Sequence, residues 1–317
     1  MSVYVARGVG AIREHGLWLT AVLAVVTFLG LFLVGETGAV LEALATVELW
    51  TVPAALLLVT LGYGVRFLKW EYYLRTLDVE VPLRTSALVF FSGLMLTVTP
   101  GKLGELWKAW FLRDLEDVPA STTTSVVGAE RVTDVLALTA FASLGIFVYR
   151  QSLIVLVGVA SAFLVGLGVL QWRSLCLGLL ERSRNVPVVG RYAPELRTFY
   201  EGTYSLFRPR PLSVATTLSL VSWGLEGLAF WLVLEGFGVA ATPALGLFVF
   251  GLGSVVGALS MLPGGLAATE ASMVGVLLAL GYAPAVAAGA TLLVRVLTLW
   301  YGTVFGTVVF GLHKLRG

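Results

Sequence analysis

Apolar residues run through this chain in long unbroken stretches, not at the spacing of a single helix face. Six of them, Leu17–Val34, Thr51–Leu68, Thr122–Val148, Leu153–Leu170, Leu212–Leu234 and Ala285–Leu312, are long enough to cross lipid, since about 20 residues span a hydrocarbon core of ~30 Å. Two more, Ser86–Pro100 and Ala244–Pro263, run straight into Pro-Gly. Proline removes an amide donor and glycine frees the backbone, so such a break inside lipid must be covered by protein or water. The pattern predicts an all-α integral membrane protein with about six full transmembrane helices and two re-entrant helical hairpins.

The polar segments between the runs fix the expected orientation. Arg7 and Arg13 precede the first run, and Gly35–Trp50 carries Glu36, Glu42 and Glu48 without a lysine or arginine. Arg66–Arg84 is basic, Gln171–Pro211 holds seven arginines, and Lys314 and Arg316 close the chain. Under the positive-inside rule the four basic segments are cytoplasmic, which puts the protein in the cell membrane with both termini in the cytoplasm. That parity holds only if Ser86–Pro100 and the stretch Ala244–Gly281 enter and return. Read as ordinary proline kinks in full crossings, they violate it twice. Within the long loop, at about 171–211, Leu196, Phe199, Tyr200, Thr203, Tyr204 and Phe207 share one helical face, predicting a short amphipathic helix that anchors the loop at the interface.

The two breaks belong to a repeat. Pro100 and Gly101 are followed by Arg131 after 31 residues, and Pro263, Gly264 and Gly265 by Arg295, 32 residues beyond Pro263. One domain, 1–317, therefore divides into repeat 1 (about 51–148) and repeat 2 (about 212–312). An odd number of crossings separates the breaks, so the repeats are inverted, as in many transporters whose broken helices meet near mid-membrane.

Charges inside lipid are costly and need a partner or a task. Here Lys102, Glu105 and Lys108 lie on the return limb of the first hairpin, and Glu130, Arg131 and Asp134 in the next crossing. Glu226 lies mid-run, Glu270 on the second return limb, and Arg295 in the last crossing. Spacing makes Glu105 with Arg131, and Glu270 with Arg295, symmetric candidate pairs. Glu130 and Asp134 share a helix face and serve either as structural counter-ions or as site residues. Glu226 has no evident partner in the sequence and reads either as a protonated, hydrogen-bonded carboxyl or as a coupling site.

Composition narrows the classes. Residues are 58% hydrophobic and 13% charged, with a net charge of +2, which excludes a nucleic-acid partner. A single cysteine, Cys176, excludes an internal disulfide and a cysteine-rich metal cluster. His15 and His313 read as solvated interface residues, and tryptophans such as Trp50, Trp70, Trp107, Trp110 and Trp172 as interfacial anchors. No nucleophile elbow, phosphate loop or metalloprotease motif occurs, so no catalytic residue, metal or cofactor is expected.

Thr99-Pro-Gly-Lys-Leu-Gly-Glu-Leu-Trp-Lys108, Glu130-Arg131-x-x-Asp134, Pro263-Gly-Gly-Leu-Ala-Ala-Thr-Glu270 and Leu293-Val-Arg295 with Trp300, in that order, resemble the flippase-like family, the transmembrane region of lysylphosphatidylglycerol synthases. Arg66 and Lys69-Trp70 are similar to its basic stretch after the second crossing, and Ala267 stands where the family commonly has glycine. In full-length synthases of the family a soluble C-terminal domain transfers the aminoacyl group, and the membrane region is implicated in moving the lipid between leaflets. The chain ends five residues past its last apolar run. The resemblance thus implies the translocating part without an enzyme activity.

Together these readings favour a flippase or transporter of lipids or lipid-linked sugars, with intramembrane basic residues holding the headgroup phosphate. The alternatives are an accessory subunit that binds a membrane glycosyltransferase or lipid synthase without transporting anything, and an intramembrane enzyme acting on lipid headgroups.

Overall fold

A computed structural model describes residues 20–99, 104–147, 168–183 and 190–316, with positions 158, 161, 165 and 166 between them. Pro100, Gly101 and Lys102, most of the Leu153–Leu170 run and His15 lie outside the described residues. Among the described residues the chain is entirely helical.

Helix α1 (Thr20–Val34) turns by 91° into α2 (Thr37–Ala45). The acidic stretch expected to be a loop is therefore largely helical. Its Val40 is fully buried, and a Cβ on Gly35 would stand 3.0 Å from the Ala288 side chain. Helix α3 (Thr51–Thr76) follows, then α4 (Leu83–Gly93) with a 3-10 turn to Leu96, α5 (Trp107–Glu116) and α6 (Ala120–Ser143). Helices α7 (Arg173–Ser183) and α8 (Ala193–Leu206) make up most of the described part of the long loop. The second half runs α9 (Pro209–Gly236), α10 (Pro243–Leu259), α11 (Ala268–Ala279), α12 (Pro284–Arg295) and α13 (Tyr301–Arg316).

Among the described residues three helical stretches are long and apolar enough to cross a membrane: α3, α9 and the continuous Pro284–Leu315; the bent α1–α2 pair makes a fourth if counted as one span. Shorter apolar helices, Leu83–Leu96, Pro243–Leu259 and Pro263–Ala279, accompany them.

The termini of these helices follow from local chemistry. Proline opens α9, α10 and α12, where its missing amide is harmless. Residues in left-handed conformation follow four helix ends, Asp78 at φ 54° after α3 and Gly238 at φ 70° after α9, then Asp117 at φ 54° after α5 and Gly281 at φ 87° after α11. The first two are 160 residues apart and the last two 164, so the halves stop and restart at matching places.

Helices α3 and α9 cross antiparallel. A Cβ on Gly62 would lie 3.1 Å from the Ser222 carbonyl and one on Gly236 would meet Thr51. Each short apolar helix folds back on its successor. In the first pair a Cβ on Gly93 would stand 2.8 Å from the Lys108 side chain, and one on Gly104 would meet Leu96 and Thr99. In the second, Gly253 faces Met273 and Gly257 faces Thr269. Small residues on these faces let backbones approach, which drives helix association where lipid removes the hydrophobic term. The two pairs approach each other at Gly264, where an added Cβ would be 3.6 Å from Val98 Cα and 3.1 Å from Leu299. Val98, Leu266, Leu299 and Ala24 form a small apolar cluster there.

Candidate functional site

Helix α3 outruns its apolar stretch by eight residues, so Arg66 and Lys69 are helical, not part of a basic loop. Lys69 is 1% exposed and Trp70 is fully buried. The expectation that Trp70 anchors an interface is thus overturned: its indole donates to Ser86 Oγ at 3.0 Å, and Ser86 in turn donates to Glu71. Trp50, Trp110 and Trp172 are exposed, as anchors would be.

Around Lys69 the first hairpin and α6 build a cluster of buried charges. Lys69 Nζ donates to Asp134 Oδ1 at 2.6 Å and to Ser219 Oγ at 2.8 Å. Lys108 Nζ lies 2.9 Å from Glu130 Oε2 and over the rings of Trp70 and Phe90 at 4.8 and 5.2 Å. Arg131 Nη2 reaches Glu105 Oε2 at 3.0 Å and Asp134 Oδ2 at 3.2 Å. Glu105, Lys108, Glu130 and Asp134 are buried, while the Arg131 side chain keeps 35% exposure. A cavity of about 60 Å³ opens among these groups. Asp134 thus bridges two cations from different helices, while Glu130, four residues earlier on the same face, takes Lys108.

The second hairpin repeats the theme with fewer charges. Arg295 Nε donates to Glu270 Oε1 at 2.6 Å, and its Nη2 to the Gly264 carbonyl at 2.7 Å. That carbonyl is presented by the non-helical backbone of the break, where Gly264 adopts φ 59°. Glu270 lies in the first turn of α11, where the helix dipole favours an anion. A π-turn, Val296–Trp300, begins directly after Arg295. Such turns recur at functional sites, and within this one the Thr298 carbonyl accepts the Tyr63 hydroxyl at 2.7 Å. Arg295, Thr269, Thr298 and Ser254 help line a second cavity of about 80 Å³.

Between the two cavities stands a pair that the sequence did not suggest. Arg66 Nη2 donates to Glu226 Oε1 at 2.5 Å, and the guanidinium lies 3.9 Å from the centroid of Trp223. The reading of Glu226 as a carboxyl without an evident partner is corrected: its cation is 160 positions away, on the antiparallel helix. The same offset of 160 residues separates the matching helix ends Asp78 and Gly238 in the structure.

The symmetric pairs expected from spacing, Glu105 with Arg131 and Glu270 with Arg295, are in contact. A buried ion pair is weak evidence for stability by itself, but Arg131 and Arg295 also have further partners and a cavity beside them. Breaking such a pair strands a buried charge. His313 sits beside the Phe111 ring at 6.2 Å. Among the described residues no group of three metal-binding side chains occurs. The amphipathic helix of the long loop is present as α8, with Tyr200, Thr203 and Phe207 buried against the protein and Leu196 exposed.

Fold and site define a multi-pass helical membrane protein with ionised side chains gathered at two broken hairpins. The family model for the transmembrane region of lysylphosphatidylglycerol synthase matches residues 18–306, and the chain belongs to that family. A UPF0104 membrane protein of Pyrococcus horikoshii is 23% identical over 283 residues, covering 80% of this chain and 84% of the relative. A second UPF0104 membrane protein, of Methanothermobacter thermautotrophicus, is 36% identical over 109 residues, about a third of each chain.

Proposed function

We propose that the protein moves a phosphate-bearing lipid or lipid-linked sugar between the leaflets of the cell membrane. In this reading α4–α5 and α10–α11 are re-entrant hairpins, six further segments cross fully, and the halves are inverted repeats with both termini and the long loop in the cytoplasm. Acyl chains stay in lipid while the headgroup enters between the hairpins. Support comes above all from one observation: each helix pair has an arginine beside a cavity, the partly exposed Arg131 at the first and the buried Arg295 at the second.

The chemistry follows from the donors. A guanidinium binds phosphate oxygens as a planar fork. In both places a carboxylate occupies part of that fork, Glu105 on Arg131 and Glu270 on Arg295, which offsets the cost of burying the cation. A headgroup then exchanges one anion for another, so binding remains reversible, as translocation requires. No bond is made or broken, so the reading involves no reaction.

Reconstitution tests it. Purified protein in phospholipid vesicles carrying a trace of headgroup-labelled lipid should expose inner-leaflet label to an external quencher, and Arg131→Gln and Arg295→Gln should each slow that exposure by tenfold or more. Vesicles whose inner-leaflet label stays protected for every phosphate-bearing lipid tried would refute the proposal. So would two variants indistinguishable from the parent.

A further inference from the structure

The two cavities share part of their walls. Arg66, Leu94, Thr97 and Trp223 line both. Of these four, Arg66 alone carries a charge, and its side chain keeps 15% exposure. Its Nε has no hydrogen-bond partner, although it is buried. The indole of Trp223 holds the guanidinium plane at 3.9 Å, and Glu226 takes one terminal nitrogen.

The position of this group is not arbitrary. Helices α3 and α9 cross antiparallel, and the contacts Thr51 with Gly236, Gly62 with Ser222, and Lys69 with Ser219 run in opposite directions along the two. Residues 66 and 226 are separated by 160, the interval that also separates the left-handed helix ends Asp78 and Gly238. Arg66 and Glu226 therefore occupy the same place in the two halves and meet where the halves cross. A cation at that point is presented to the Arg131 cavity and the Arg295 cavity alike.

We infer that Arg66 is the hand-over site for the headgroup phosphate, taking it from Arg131 and passing it to Arg295 or the reverse. This rests on the proposed translocation of a phosphate-bearing lipid. Glu226 is then the counter-ion that the phosphate replaces while it is held at the crossing. Trp223 fixes the guanidinium so that its fork stays aimed along the joined cavities. A cation fixed by stacking does not have to be reoriented when the ligand arrives.

The rival is a bridge that merely ties α3 to α9, and one variant separates the two. Replacing a buried ion pair by apolar residues of similar volume is commonly neutral or stabilising for folding. Arg66→Met combined with Glu226→Leu should therefore fold, checked by monodispersity and melting temperature in detergent. Short-chain dihexanoyl phosphatidylglycerol is titrated onto the detergent-solubilised protein, reading both its Kd and tryptophan fluorescence, and label exposure is measured in vesicles.

The hand-over site predicts a fluorescence change in the parent that Trp223→Phe abolishes. It also predicts that the double variant binds about tenfold or more weakly and loses translocation while remaining folded. Parental binding and translocation in the folded double variant would overturn the inference but leave the phosphate reading at Arg131 and Arg295 standing. So would a double variant that does not fold, if the exchange Arg66→Glu with Glu226→Arg restores folding and translocation but not the Trp223 signal. A parent that neither binds nor moves the lipid overturns both readings. The same Trp223 change with inorganic phosphate, but no response to the lipid, marks a free-anion site and also refutes the lipid route.

Discussion

Arg295 holds two acceptors at once, the Glu270 carboxylate at 2.6 Å and the neutral Gly264 carbonyl at 2.7 Å. The second contact ties the last long helix to the break of the second hairpin. Removing Arg295 strands a carboxylate that is 1% exposed and leaves that carbonyl without its donor. Loss of one partner of a buried pair costs about 3–5 kcal/mol. Arg295→Ala should therefore lower the melting temperature sharply, whereas Arg295→Lys, which keeps the charge but not the fork, should lower it less. Equal melting of the two variants would show that charge and fork contribute nothing separable.

Ala267 sits at φ 68°, ψ −48°, a region that a Cβ disfavours. Backbone strain of this kind costs roughly 1–3 kcal/mol. Ala267→Gly should raise the melting temperature, despite glycine's greater freedom in the unfolded chain, and Ala267→Val should reduce it. A lower melting temperature for the glycine variant would contradict the assigned strain.

The limbs of the second hairpin touch at Gly257, where a Cβ would come within 2.0 Å of the Thr269 hydroxyl. Gly257→Ala should cost on the order of 1–3 kcal/mol through overpacking. Adding Thr269→Ala removes the clashing hydroxyl and should restore part of the loss. Strictly additive effects in that double-mutant cycle would argue against the contact.

Orientation is tested with the native cysteine removed. In Cys176→Ser, a cysteine introduced at Arg191 or Arg197 should react with an impermeant thiol reagent only after the cytoplasmic side is opened. Both parent side chains are exposed, so access is not limiting. Labelling of intact cells from outside would reverse the proposed topology.

How much of this was legible in the sequence depended on distance along the chain. Glu105 with Arg131 and Glu270 with Arg295 are each about 25 residues apart and recur after the same Pro-Gly signal, so spacing alone brought them together. Hydropathy alone ends the span near Lys69 because the apolar run stops at Leu68, yet the helix continues to Thr76 and Lys69 is buried against Asp134. Tertiary partners there outweigh local hydropathy. The Arg66–Glu226 pair was hidden for the same reason, its two halves lying on different repeats with no local pattern joining them. Trp70 looked like an anchor because tryptophan prefers membrane edges, but an indole with a buried acceptor such as Ser86 can sit inside.

The close approach of Val98 and Gly264, one from each helix pair, carries a mechanical consequence. Close-packed groups transmit displacement, so a shift of one segment at this point would press on the other. Under the proposed translocation this contact would act as one sliding rod, access gained at one end being withdrawn at the other without a separate latch.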